Sequence, residues 1–98
     1  MNQDEILKIF KSLVVKSYLN DDRTLSEERL KEITSEVAAR VAIDTPLSAV
    51  GLDSMKMTWI IVRFEELLDI DASGVSFFEL YDVKDLAKEI IELVNQKG

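Results

Sequence analysis

Ninety-eight residues, 47% of them apolar and 32% charged, fit one small domain with a single core. With no cysteine and no histidine, the chain has no disulfide, thiolate metal site, thiol nucleophile or imidazole base of its own, so ordinary hydrolase or transferase chemistry is poorly supplied. A net charge of −7 argues against nucleic acid or an anionic membrane as partner and suits contact with basic protein surfaces.

The start of the chain, Met1-Asn2-Gln3-Asp4-Glu5, is polar and acidic and lacks the basic region of a secretion signal. No apolar run reaches membrane-spanning length, so a cytoplasmic location is expected. Ile6, Phe10, Leu13 and Val14 recur at helical spacing and predict a first helix over about 3–18, ended by Asn20-Asp21-Asp22. A second helix is predicted over about 26–41, with Leu30, Ile33, Val37 and Val41 on one face. Thr24 and Glu27 have the spacing of a capping box at its start, and Glu27 and Glu28 suit the helix dipole there. Residues 43–53 form a loop with the only proline, Pro46.

A third helix opens at Asp53-Ser54, residue types that start helices, and runs to Leu68. Its expected inner stripe is Thr58, Ile61, Phe64 and Leu68, flanked by Ile60 and Leu67. Residues 69–74 break it, and Ser76-Phe77-Phe78-Glu79 has capping-box spacing on a short helix. Asp82 is placed to cap a last helix over about 83–94, where Val83, Leu86, Ala87, Ile90, Ile91 and Val94 draw the clearest amphipathic stripe of the chain. No segment has the period of a strand, so the expected class is all-α. Asp21-Asp22 and Asp69/Asp71 lack the ligand number and glycine placement of a calcium loop, and no metal site is expected.

The residues that point to chemistry are Gly51-Leu52-Asp53-Ser54-Met55. Gly51 permits a tight turn, and Ser54 then stands where unpaired N–H groups and the helix dipole favour negative charge. A phosphate ester on its hydroxyl would lie in a favourable field. Position alone allows Ser54 to be no more than an N-cap, and Asp53 has the same alternative. The wider pattern goes further. Asp-Ser before a large apolar residue, Asp44-Thr45-Pro46-Leu47 upstream, Phe64-Glu65-Glu66-Leu67 downstream, then Phe78-Glu79, Val83 and Leu86-Ala87 together resemble acyl and peptidyl carrier proteins, most closely the carrier domains of polyketide synthases.

The resemblance covers about 25–94 and implies a four-helix bundle of three long helices and one short, with residues 25–95 as the carrier domain and 1–20 as an additional helix. It also implies a 4′-phosphopantetheine arm, taken from coenzyme A and attached to Ser54 by a phosphopantetheinyl transferase, for a protein that is not itself an enzyme. Acyl-loading and biosynthetic enzymes would be the further partners, in polyketide, nonribosomal-peptide or fatty-acid-type synthesis. Asp53, Glu65 and Glu66 match acids read by such enzymes. Met55, Trp59 and Val62 match the recognition face, where an exposed apolar strip and core burial are the competing readings. Met55 stands for the usual leucine, Asp69 for a frequent glycine, and Tyr81-Asp82 for proline-threonine; the loop 43–53 is shorter than usual. The expectation is a monomeric acyl carrier. The alternative of another class is an unmodified helical adaptor that binds through Met55, Trp59 and Val62.

Overall fold

A computed structural model describes residues 1–97. Helix α1 (Gln3–Asp21) begins at a complete capping box that the sequence reading did not anticipate. The Glu5 N–H donates to Asn2 Oδ1 at 2.9 Å, and the Asn2 N–H donates to Glu5 Oε1 at 3.2 Å, so two otherwise orphaned donors are satisfied. The helix runs past its predicted end at 18. Its predicted stripe holds: Ile6, Phe10 and Val14 are fully buried and Leu13 nearly so. Ser17 is buried on the same face, and its hydroxyl donates back to the Val14 carbonyl at 2.6 Å, which meets its hydrogen-bonding need inside the helix.

Helix α2 (Glu27–Arg40) buries Ile33 and Val37, with Val41 buried just beyond its end. Its cap differs from expectation. Ser26 is the N-cap, its Oγ accepting from the Arg29 N–H at 3.1 Å. Thr24 instead gives both its N–H and its hydroxyl to Asp22 Oδ1, at 3.0 and 2.6 Å, and so shapes the turn that leaves α1. These two hydrogen bonds, the hydroxyl's above all, also hold the exposed Asp22 carboxyl below the usual carboxylate range.

Helix α3 (Ser54–Leu68) corrects the predicted inner stripe. The buried residues are Met57, Ile60 and Phe64, whereas Thr58 and Leu67 are exposed and Ile61 and Leu68 only partly covered. The helix is apolar on several faces, so periodicity did not fix its rotation. Helix α1 approaches α2, α3 and α4 alike, and Met57, Ile60 and Phe64 join the core that these helices share. Asp69 ends α3 in the left-handed conformation at φ +52, a geometry that suits glycine and that a short polar side chain can adopt.

A 3₁₀ turn, Phe77–Glu79, stands where the short helix was expected, and it buries Phe77. The predicted capping box at Ser76 does not form. The Glu79 N–H already donates to the Ser76 carbonyl at 3.1 Å, which leaves no free donor for the Ser76 hydroxyl. Helix α4 (Val83–Lys97) does start at Asp82: its Oδ1 accepts from the Asp85 N–H at 2.9 Å, and Asp85 Oδ2 reaches back to the N–H groups of Tyr81 and Asp82 at 3.2 and 3.4 Å. Val83, Leu86, Ala87 and Ile90 are fully buried, with Ile91 and Val94 partly so.

The segment before α3 is tied to the start of α4. Leu47, at the head of a 3₁₀ turn (Leu47–Ala49), donates its N–H to the Tyr81 carbonyl at 2.9 Å, and Val83 donates to the Thr45 carbonyl at 3.0 Å. Among the described residues, four helices and two 3₁₀ turns therefore form one all-α bundle around a shared core. No helix among the described residues is long and apolar enough to cross a membrane.

Candidate functional site

Gly51 turns the chain at φ +85, a conformation that glycine adopts at little cost, and aims the next residues at the head of α3. Asp53 is the N-cap: its Oδ1 accepts from the Lys56 N–H at 2.8 Å. That bond, more than the nearby Lys56 charge, holds the exposed Asp53 carboxyl below its usual pKa against the opposing effect of desolvation. Ser54 is the first residue of α3 and is exposed. Since Asp53 caps the helix, the Ser54 hydroxyl is not required for that task, and the reading of Ser54 as a mere N-cap loses its basis. A primary hydroxyl in this position is open to an incoming electrophile, and an anionic ester formed on it would face the positive end of a 15-residue helix.

Lys56 connects the site to α1. Its side chain is only 14% exposed, and its Nζ lies 3.2 Å from Asp21 Oδ2, 3.5 Å from Asp53 Oδ2 and 5.4 Å from the centre of the Tyr18 ring. The bond to Asp21 is the main reason that its ammonium titrates above the usual lysine range. Tyr18 also reaches Gly51: a Cβ placed on that glycine would meet the Tyr18 hydroxyl at 3.8 Å.

An apolar groove of about 390 Å³ opens beside Ser54, walled by Leu47, Leu52, Met57, Phe78, Leu80 and Tyr81 among others. Phe78 and Tyr81 are 68% and 69% exposed, large aromatic rings left in water next to the serine. From the sequence, Phe78 falls in the closing part of the resemblance, and neither ring is expected at the site. The available signal was the doubled Phe77-Phe78, because a short turn can bury only one of two adjacent rings. A second groove of about 360 Å³ continues along α3 between Thr58, Ile61, Val62 and the Phe77-Phe78 turn.

The residues expected to form a recognition face divide into groups. Met55, 79% exposed, and Val62 stand in water on α3. Trp59 is partly buried against the core; it lines a larger groove of about 650 Å³ between α1 and α3, with the Arg63 guanidinium 5.4 Å from its ring centre. Glu66 is exposed and pairs with Arg63 at 2.8 Å. Glu65 is partly buried, and its Oε2 accepts from the Ala72 N–H at 2.9 Å, which ties the end of α3 to the following loop.

Among families of known proteins, the one described as phosphopantetheine attachment site has a model that matches residues 27–90, more than half of the chain. The matched stretch holds α2, α3, Ser54 and most of α4, and α1 precedes it. No curated protein and no solved structure matches the chain.

Proposed function

Because the chain belongs to the phosphopantetheine attachment-site family, we propose that Ser54 is the residue that receives the 4′-phosphopantetheine arm and that the protein works as an acyl carrier. The observation that carries this reading is the exposed Ser54 hydroxyl at the head of α3, relieved of capping by Asp53 and bordered by an apolar groove. In the modification step, Ser54 Oγ attacks the pantetheine-side phosphorus of the coenzyme A diphosphate. A new P–O bond forms to Oγ, the phosphoanhydride bond breaks, the nucleotide bisphosphate departs, and the hydroxyl proton passes to a base on the phosphopantetheinyl transferase. The positive end of α3 favours the phosphodiester so formed. The bound arm supplies a thiol, which this chain lacks, for holding an acyl group as a thioester.

The remaining residues have roles in presentation rather than catalysis. Tethering raises the effective concentration of the carried group at each partner enzyme. Leu47, Leu52 and Phe78 offer an apolar group cover from water. Met55 and Val62, with Asp53, Glu65 and Glu66 around them, offer basic enzymes an apolar contact with an acidic surround, and Trp59 supports it from the α1 side. Glu65 has the smaller part, since one of its oxygens is engaged by Ala72. We assign residues 25–95 to the carrier unit and 1–20 to an added helix, in a cytoplasmic monomer serving polyketide, nonribosomal-peptide or related synthesis. A fatty-acid-type carrier is the nearest alternative.

The exposed Met55 and Val62 favour a second reading, an unmodified adaptor that binds its partner through these residues and the partly buried Trp59. Incubation with coenzyme A and a broad-specificity phosphopantetheinyl transferase separates the two. A carrier gains the mass of one arm, and an adaptor gains none.

A further inference from the structure

We infer that Lys56 is a positioning residue for the modification of Ser54, and that α1 is the anchor from which it acts, through Asp21 and Tyr18. The inference rests on the reading of Ser54 as the attachment residue and concerns a helix that lies outside the family match.

Asp53 is held at two points by one residue. Its Oδ1 takes the Lys56 N–H at 2.8 Å, and its Oδ2 lies 3.5 Å from Lys56 Nζ. The first bond is an ordinary cap, which most helices of this kind possess. The second depends on where the Lys56 side chain points, and that is set from α1. Asp21, 35 positions earlier in the chain, binds Nζ at 3.2 Å, and the Tyr18 ring lies under the ammonium at 5.4 Å. A lysine so little exposed keeps few rotamers open, so the two carboxylates and the ring fix its head where free lysines on a helix surface would sample several positions.

Tyr18 also stands near the turn: a Cβ built on Gly51, whose left-handed backbone creates it, would lie 3.8 Å from the Tyr18 hydroxyl. The end of α1 thus binds Lys56 on one side of Ser54 in sequence and stands near Gly51 on the other. Removing the ammonium would leave Asp21 and Asp53 with no cation between them in a chain of net charge −7. The cap and the turn would then hold Ser54 less firmly for a docking enzyme.

The test uses the full chain with coenzyme A and a broad-specificity phosphopantetheinyl transferase. KM and kcat for the carrier are measured for the wild type, Lys56→Met, Lys56→Arg, Asp21→Asn and the Lys56→Met/Asp21→Asn double variant. Amide exchange is followed over residues 51–56, at a temperature where circular dichroism shows every variant folded. Lys56→Met is expected to raise KM about threefold to fivefold with kcat little changed, and to speed exchange in the turn. Lys56→Arg, which keeps the charge, restores both readouts. Asp21→Asn raises KM by less and has no further effect once Lys56 is methionine. A wild-type KM for Lys56→Met, an arginine variant no better than the methionine one, or strictly additive effects would each overturn the inference and leave the reading of Ser54 intact. No mass gain by the wild type would remove that reading, and the inference with it.

Discussion

Helices α1 and α3 divide the work of this molecule between them. Helix α1 lies outside the family match yet approaches every other helix and places Ile6, Phe10 and Val14 in full burial. Helix α3 lies inside the match and leaves much of its apolar surface in water, with Met55 79% and Leu67 61% exposed. Many side chains can fill a core of given volume, so a family pattern need not include the helix that contributes most to packing. A hydroxyl at a helix head and the face around it have few substitutes. The part that marks the family and the part that holds the bundle together are therefore different helices here.

The sharpest way to break this comparison is to hollow out α1. Phe10→Ala removes a fully buried ring and is expected to cost about 3–5 kcal/mol, read from chemical denaturation. A loss below about 1 kcal/mol would show that α1 is not the packing centre described. Gly51→Ala comes next. The Tyr18 hydroxyl leaves room for a methyl group, so the cost is that of the left-handed backbone alone, on the order of 1 kcal/mol, accompanied by slower modification as the turn shifts. The smallest effect on stability belongs to Met55→Ala. Its side chain is in water, so stability should stay within about 0.5 kcal/mol while acyl transfer to a partner enzyme weakens. A large fall in melting temperature there would place Met55 in the core and remove the proposed docking face.

Much of this division could be read from the residues, and the exceptions have physical causes. Helix α4 was legible because its apolar residues occupy one narrow stripe and Asp82 is an unambiguous cap. The start of α3 at Asp53-Ser54 was legible for the same local reasons. The stripe of α3 was not, since with apolar residues at positions 55, 57, 59, 60, 61, 62, 64, 67 and 68 several rotations look equally good, and only the packed core selects Met57, Ile60 and Phe64. Local patterns also misplaced two caps, at Thr24 and Ser76, because neighbouring groups supplied the hydrogen bonds first. The link from Asp21 through Lys56 to Asp53 spans 35 positions and has no periodic signature at all. Long-range polar contacts of this kind exist only once the packing of α1 is known.

The central claim, that Ser54 is the attachment residue, is tested most directly by intact-mass measurement of the wild type and Ser54→Ala after incubation with coenzyme A and the transferase. Since Asp53 supplies the cap, Ser54→Ala should keep its helical circular dichroism and lie within about 0.5 kcal/mol of wild-type stability. The account predicts one arm's mass on the wild type, mapped to the peptide containing Ser54, and none on the variant. An arm carried by the Ser54→Ala protein, or none on a folded wild type, would contradict it.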